Sequence, residues 1–232
     1  MQLLTWLPLV AVAFFNGAVA YPAPATNITA RAPASFVHPG VLLNSAQLNS
    51  MRTKVNAGAQ PWANAYSSML GHPFLSQSRT PRPRAVVNCG PTSNPNEGCT
   101  DEREDALAAY GNALAWYVTQ DSKHAKKAIS YFNAWSPVIT GHTGANAPLQ
   151  PGGRERHGPE LRRLSVILTQ VISIFDPSSF LIKRTGWAST DITRFENMLR
   201  NVYLPKVIGG DPRTGNWDLG QSFAQNSLDV VY

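Results

Sequence analysis

Residues 102–150 read EREDALAAYGNALAWYVTQDSKHAKKAISYFNAWSPVITGHTGANAPLQ. Ala106, Tyr110, Ala113, Leu114 and Tyr117 fall at three- and four-residue steps, and so do Ala125, Ala128, Ile129 and Phe132. Such spacing gathers apolar side chains on one stripe of a helix. Gln120-Asp121-Ser122 leaves room for a tight turn, with Asp121 or Ser122 as N-cap, so the pair is antiparallel. The polar loop that follows carries His142, Asn146 and Gln150, side chains suited to a site.

On the N-terminal side, Ser45 is placed to cap a helix carrying Leu48, Met51 and Val55 that stops at Gly58. Pro61 opens a second helix with Trp62, Tyr66, Met69 and Leu70. Residues 77–99 read as a long irregular loop containing Arg79, Arg82 and Arg84. On the C-terminal side a helix from about Thr190 carries Ile192, Phe195, Leu199 and Val202 and ends near Pro205. No segment alternates with period two long enough for a core strand. The element order therefore predicts an all-α fold of antiparallel helical hairpins stacked side by side.

A chain of 232 residues with a 43% apolar fraction fits one globular domain. Residues 1–20, MQLLTWLPLVAVAFFNGAVA, form an apolar run ending in Ala-Val-Ala. That is a signal-peptide pattern, cleaved after Ala20; the run is too short for a membrane anchor and meets Pro-rich sequence at once. The reading is a secreted, extracellular protein with no membrane contact after cleavage. Residues 21–35 read as a linker, in which Asn27-Ile28-Thr29 is a glycosylation sequon on Asn27. Cys89 and Cys99 flank the loop GPTSNPNEG. In a secreted chain so close a pair reads as a disulfide, two free thiols being the alternative. The net charge of +6 suits an acidic polymer as partner. No Cys/His finger, RNP-like strand or basic aromatic helix points to nucleic acid.

CGPTSNPNEGC, DALAAYGNALAW, NAW and NAPLQ, then GW, FENML and GNWDL, resemble in order and spacing the alginate lyase family of secreted polysaccharide lyases, in its fungal form. The likeness covers about residues 36–151 and 186–219. It implies an (α/α) toroid, here incomplete and truncated at the C-terminus, and β-elimination on a 1,4-linked polyuronate such as alginate or glucuronan. Two stretches depart from it. Residues 152–186 begin GGRERHGPELRR and become an apolar, β-branched run, and residues 220–232 have little periodicity. Both read as products of a faulty gene model, because local pattern and global fold disagree there, a genuinely diverged short form being the alternative.

β-Elimination needs the C5 carboxylate neutralised, a base for the C5 proton and an acid for the departing O4. The resemblance implies no cofactor and no metal, since an amide can neutralise the carboxylate. Asn216 is the candidate neutraliser, at the start of an inner helix beside Trp217, on which a sugar can stack; helix N-capping is its alternative role. Asn146 and Gln150 are candidate donors to uronate oxygens, with turn chemistry as the alternative. His142 is the candidate base, or else a solvent-facing loop residue. Tyr110 and Tyr117 read as core, and Glu102, Glu104 and Asp105 as favourable charges in a first helical turn. His38, His72, His124 and His157 show no partner pattern.

The resemblance places the proton-transfer His and Tyr downstream of GNWDL, where this chain has no matching positions, so the expectation is little lyase activity. A non-catalytic secreted carbohydrate-binding or helical interaction protein is the competing reading. A hydrolase with paired carboxylates is disfavoured, since no such pair stands out.

Overall fold

The computed structural model describes residues 43–90, 94–143 and 186–207. Helices α1 (Ser45–Asn56) and α2 (Trp62–Leu70) come first, then a 3-10 turn (Pro73–Leu75) and strands β1 (Val86–Cys89) and β2 (Asn96–Glu97). Helices α3 (Cys99–Thr119) and α4 (Ser122–Trp135), strand β3 (Gly141–Thr143) and helix α5 (Ser189–Met198) follow. A π-helical turn (Leu199–Tyr203) leads into the short α6 (Leu204–Val207).

Local chemistry sets the helix ends. Asn44, rather than Ser45, caps α1: its side chain accepts from the Gln47 amide at 2.9 Å, and the Gln47 side chain accepts from the Asn44 amide at 2.9 Å. This reciprocal pair satisfies two otherwise orphan donors. Between α3 and α4, Gln120 turns left-handed and Asp121 accepts from the Lys123 amide at 3.0 Å, which reverses the chain as expected. The first helix of this pair begins at Cys99, three residues earlier than its acidic run suggested. Gly98 starts it at φ 91, and a Cβ there would lie 2.7 Å from the Arg84 side chain. Position 98 therefore needs glycine on both counts.

Helix α3 is buried on several sides, at Ala108, Ala109, Asn112, Ala113, Ala115, Trp116 and Val118. Small residues let its neighbours approach; a Cβ on Gly111 would meet Leu75 at 2.5 Å. The core between α3, α4 and α5 is aromatic. Phe132 packs against Trp187 and Phe195 with ring centroids 5.7 and 4.8 Å apart. Asn133 locks this cluster, accepting from the Trp187 indole at 2.8 Å and donating to Asp191 at 3.0 Å.

The expectation of an all-α fold is wrong. The chain is mostly helical, but β1 is the middle strand of a three-stranded mixed sheet in the order β2-β1-β3. It pairs antiparallel with β2 (Asn88↔Glu97, Cys89↔Asn96) and parallel with β3 (Val86↔Gly141, Val87↔His142, Asn88↔Thr143). A toroid is not shown by the described residues. The strands escaped notice because each has at most four residues, and β1 turns only Val87 and Cys89 fully inward. Two residues facing in cannot establish a period. Part of the supposed irregular loop is thus sheet.

The rest of that loop is pinned by charge. Arg79 pairs with Asp105 at 2.6 Å and Glu104 at 3.2 Å; Arg82 pairs with Asp101 at 3.0 Å and with Glu104; Arg84 pairs with Asp101 at 2.8 Å. Lys127 donates to the backbone carbonyls of Gln77 (2.9 Å) and Arg79.

Cys89 and Cys99 are bonded, tying β1 to the start of α3 across a sequence separation of 10. Closing so short a loop removes limited entropy from the unfolded chain, so Cys89→Ser with Cys99→Ser is expected to cost about 2–3 kcal/mol. Urea unfolding of the double variant checks this, and an unchanged midpoint would refute it.

Asn27, the leader and linker, residues 152–185 and the 220–232 tail lie outside the described residues.

Candidate functional site

Three elements converge on one carboxylate. Helix α3 contributes Glu102 in its first turn, where the positive end of the helix dipole favours an anion. Strand β3 contributes His142, and the π-helical turn contributes Tyr203. That turn is closed by the Leu204 amide donating to the Leu199 carbonyl, directly before Pro205, which has no N–H to offer.

His142 Nε2 lies 2.7 Å from Glu102 Oε1, and the Tyr203 hydroxyl donates to the same oxygen at 2.6 Å. The His142 and Tyr203 rings meet edge to face with centroids 5.0 Å apart. All three residues are at most 3% exposed. A carboxylate oxygen at Oε1 accepts, so Nε2 is the ring donor to it, and in the tautomer with its one proton there the lone pair lies on Nδ1. His142 Nδ1 and Glu102 Oε2 are buried without a hydrogen-bond partner among the described residues. Buried polar atoms are normally paired, so each such atom calls for an explanation.

Burial holds the Tyr203 hydroxyl well above its ordinary pKa, and the Glu102 charge and hydrogen bond add to the effect. Desolvation of the half-buried Tyr110 pushes its hydroxyl up to about 12. In both, the folded state binds the phenolic proton more tightly than the unfolded chain. Stability is therefore whole below about pH 10 and falls as pH climbs through the folded values, by up to about 1.4 kcal/mol per pH unit per tyrosine. Urea midpoints at about pH 9 and about pH 11 check the drop, and Tyr203→Phe should shrink it.

Beside this cluster lies a cavity of about 40 Å³, lined by Glu102, Asp105, Tyr131, Trp135, Phe195 and Tyr203 among others. It has room for water and none for a sugar ring. Asp105 is fully engaged: it accepts from Arg79 Nη1 at 2.6 Å, the Arg82 amide at 2.6 Å and the Trp135 indole at 2.8 Å. Among the described residues no group of three or more His, Cys, Asp or Glu side chains is arranged to hold a metal ion.

A family model described as alginate lyase matches residues 72–204, more than half of the chain. The chain belongs to the alginate lyase family. No curated protein matches it, and no solved structure does. The matched span holds the disulfide, the Arg-loop ion pairs and the whole Glu102–His142–Tyr203 cluster.

Of the residues singled out for this alginate lyase family chemistry, His142 is described. It is a buried strand residue paired with a carboxylate, not a solvent-facing loop residue. Asn146, Gln150, Asn216 and Trp217 lie outside the described residues. Glu102 and Tyr203 were missed as members of a cluster. Glu102 looked like a first-turn charge, and Tyr203 stands 101 residues from its partner, a separation that leaves no local trace. Glu104 and Asp105 lie beyond the first turn and hold arginines. Two other histidines also have partners. His72 caps the 3-10 turn by accepting from the Phe74 amide at 3.2 Å. His124 lies 2.9 Å from Asn112 Oδ1, and burial lowers its pKa.

Proposed function

We propose that this alginate lyase family member is a secreted polyuronate lyase, acting by β-elimination on an acidic polysaccharide such as alginate or glucuronan. Family membership supports the polysaccharide lyase class and an acidic polymer as substrate. The observation that carries the reading to a residue is the buried His142–Glu102 pair, whose Nδ1 has no hydrogen-bond partner among the described residues. Glu102 holds the Nε2 proton and fixes the ring, and Tyr203 fixes Glu102. Nδ1 is then the base, and because the ring is buried this reading requires the cluster to open to the polymer before the proton is taken.

In the proposed reaction Nδ1 takes the C5 proton. The electron pair left on C5 forms the C4–C5 double bond, the C4–O4 bond breaks, and the imidazolium returns the proton to O4. Asn216 neutralises the C5 carboxylate, lowering the cost of charge that develops there. Asn146 and Gln150 bind uronate oxygens, and Trp217 supplies a stacking face. After export and loss of residues 1–20, the mature N-terminus is Tyr21. Among the described residues no helix is long and apolar enough to cross a membrane.

The test is to incubate the purified chain with polymannuronate, polyguluronate and glucuronan and follow the ultraviolet absorbance of unsaturated ends. A rise with at least one polymer is expected. Flat traces with all three, together with retained binding, would replace this reading by a non-catalytic carbohydrate-binding protein.

A further inference from the structure

Helices α1 and α2 precede the matched family span and present an unusual surface. Helix α2 buries none of its residues, and its Trp62 is 39% exposed. An exposed indole offers a large, rigid apolar face with a polar N–H at its rim. Over its ring sits the Lys54 ammonium, 3.6 Å from the centroid. Lys54 lies in the last turn of α1, where the negative end of the helix dipole favours a cation.

The two helices themselves supply no acid to this ammonium. Neither α1 nor α2 contains Asp or Glu. From residue 43 to residue 98 the one described acid is Glu97, which accepts from Asn88 at 2.8 Å. The arginines of the following loop are committed to Asp101, Glu104 and Asp105. Lys54 makes no ion pair among the described residues.

We propose that the Trp62 indole and the Lys54 ammonium form an accessory binding site for acidic polysaccharide, separate from the His142 cluster. This rests on the polyuronate reading above. A uronate pyranose offers two groups at fixed spacing: an apolar C–H face and a ring-edge carboxylate. The exposed part of the indole takes the first, and the ammonium, moving off the ring face it covers, takes the second. Until then the cation–π contact holds Lys54 against the ring face. A neutral sugar would gain the stack alone. For a long polymer, a second contact converts rebinding at the reaction site into an intramolecular event, whereas a short oligomer cannot span both.

Affinity electrophoresis of the full chain through gels containing polymannuronate or glucuronan, with a neutral glucan as control, tests the site. Trp62→Ala should weaken polyuronate binding about fivefold, the loss matching one exposed stacking contact. Trp62→Phe should retain most of it. Lys54→Gln should weaken polyuronate binding similarly and narrow the preference over the neutral glucan. Because both side chains reach solvent, circular dichroism should show unchanged helix content, and turnover of a uronate trisaccharide should stay at the parent rate. If the parent chain binds polyuronate and Trp62→Ala and Lys54→Gln bind it equally well, the accessory site is wrong and the lyase reading stands. If the parent chain neither binds nor cleaves any polyuronate, the lyase reading falls and takes the accessory site with it.

Discussion

Replacing Asp105 with leucine is expected to cost about 3–5 kcal/mol, a large share of the roughly 5–15 kcal/mol that holds a domain together. The carboxylate is 1% exposed and serves three donors at once: a guanidinium, a backbone amide and an indole. Arg79 keeps Glu104 at 3.2 Å and the Tyr131 hydroxyl at 3.4 Å, but loses its shorter, buried partner. The Arg82 amide and the Trp135 indole are left facing an apolar side chain. Removing one member of a buried charged network leaves the others desolvated and unpaired, and that penalty exceeds what the contact contributes net. A fall in melting temperature of roughly 10 °C follows for a domain of this size. Coupling gives the sharper check. Arg79→Met alone should destabilise, yet in the Asp105→Leu background it should cost much less or restore stability, because the stranded cation is gone. Strict additivity, or a melting point unmoved by Asp105→Leu, would refute the account.

The same network shows what a sequence discloses. The Ala-rich stripe of α3, the apolar stripe of α4 and the turn at Gln120-Asp121-Ser122 are local patterns, and each was legible. The disulfide was legible too, since Cys89 and Cys99 frame a short turn-rich loop. The strands were not, because Val86–Cys89 is ordered by a bond to α3 and by pairing with residues more than fifty positions away. Long-range pairing of short strands leaves no periodicity. The Arg79, Arg82 and Arg84 loop and the acids of α3 were both visible. Nothing in either segment says that they meet. Asn133, Trp135 and Trp187, which carried the family resemblance, are structural: their polar atoms tie α4 to α3 and α5.

His142→Gln is expected to lower polyuronate turnover by about 10²–10⁴-fold, the range set by loss of a positioned base, while leaving the fold nearly intact. The sequence reading anticipated little turnover, because the resemblance put the proton-transfer residues after Leu219. Against that expectation stands a group inside the matched family span: a ring whose Nε2 lies 2.7 Å from Glu102 and whose Nδ1 has no partner among the described residues. Glutamine separates the two roles this ring can have. Its amide can still donate toward Glu102 and spare that carboxylate from burial with one donor fewer, but it carries no basic lone pair. If His142 only braces β3 against α3, His142→Gln should melt close to the parent and retain its rate. If Nδ1 is the base, the variant should melt close to the parent and lose its rate, with kcat falling more than KM rises. Tyr203→Phe serves as the companion. It removes one hydrogen bond to Glu102 without touching the ring nitrogen, so its effect on kcat should be far smaller than that of His142→Gln. A His142→Gln protein that folds and still generates unsaturated ends at the parent rate would remove His142 from the reaction and return the cluster to a purely structural role.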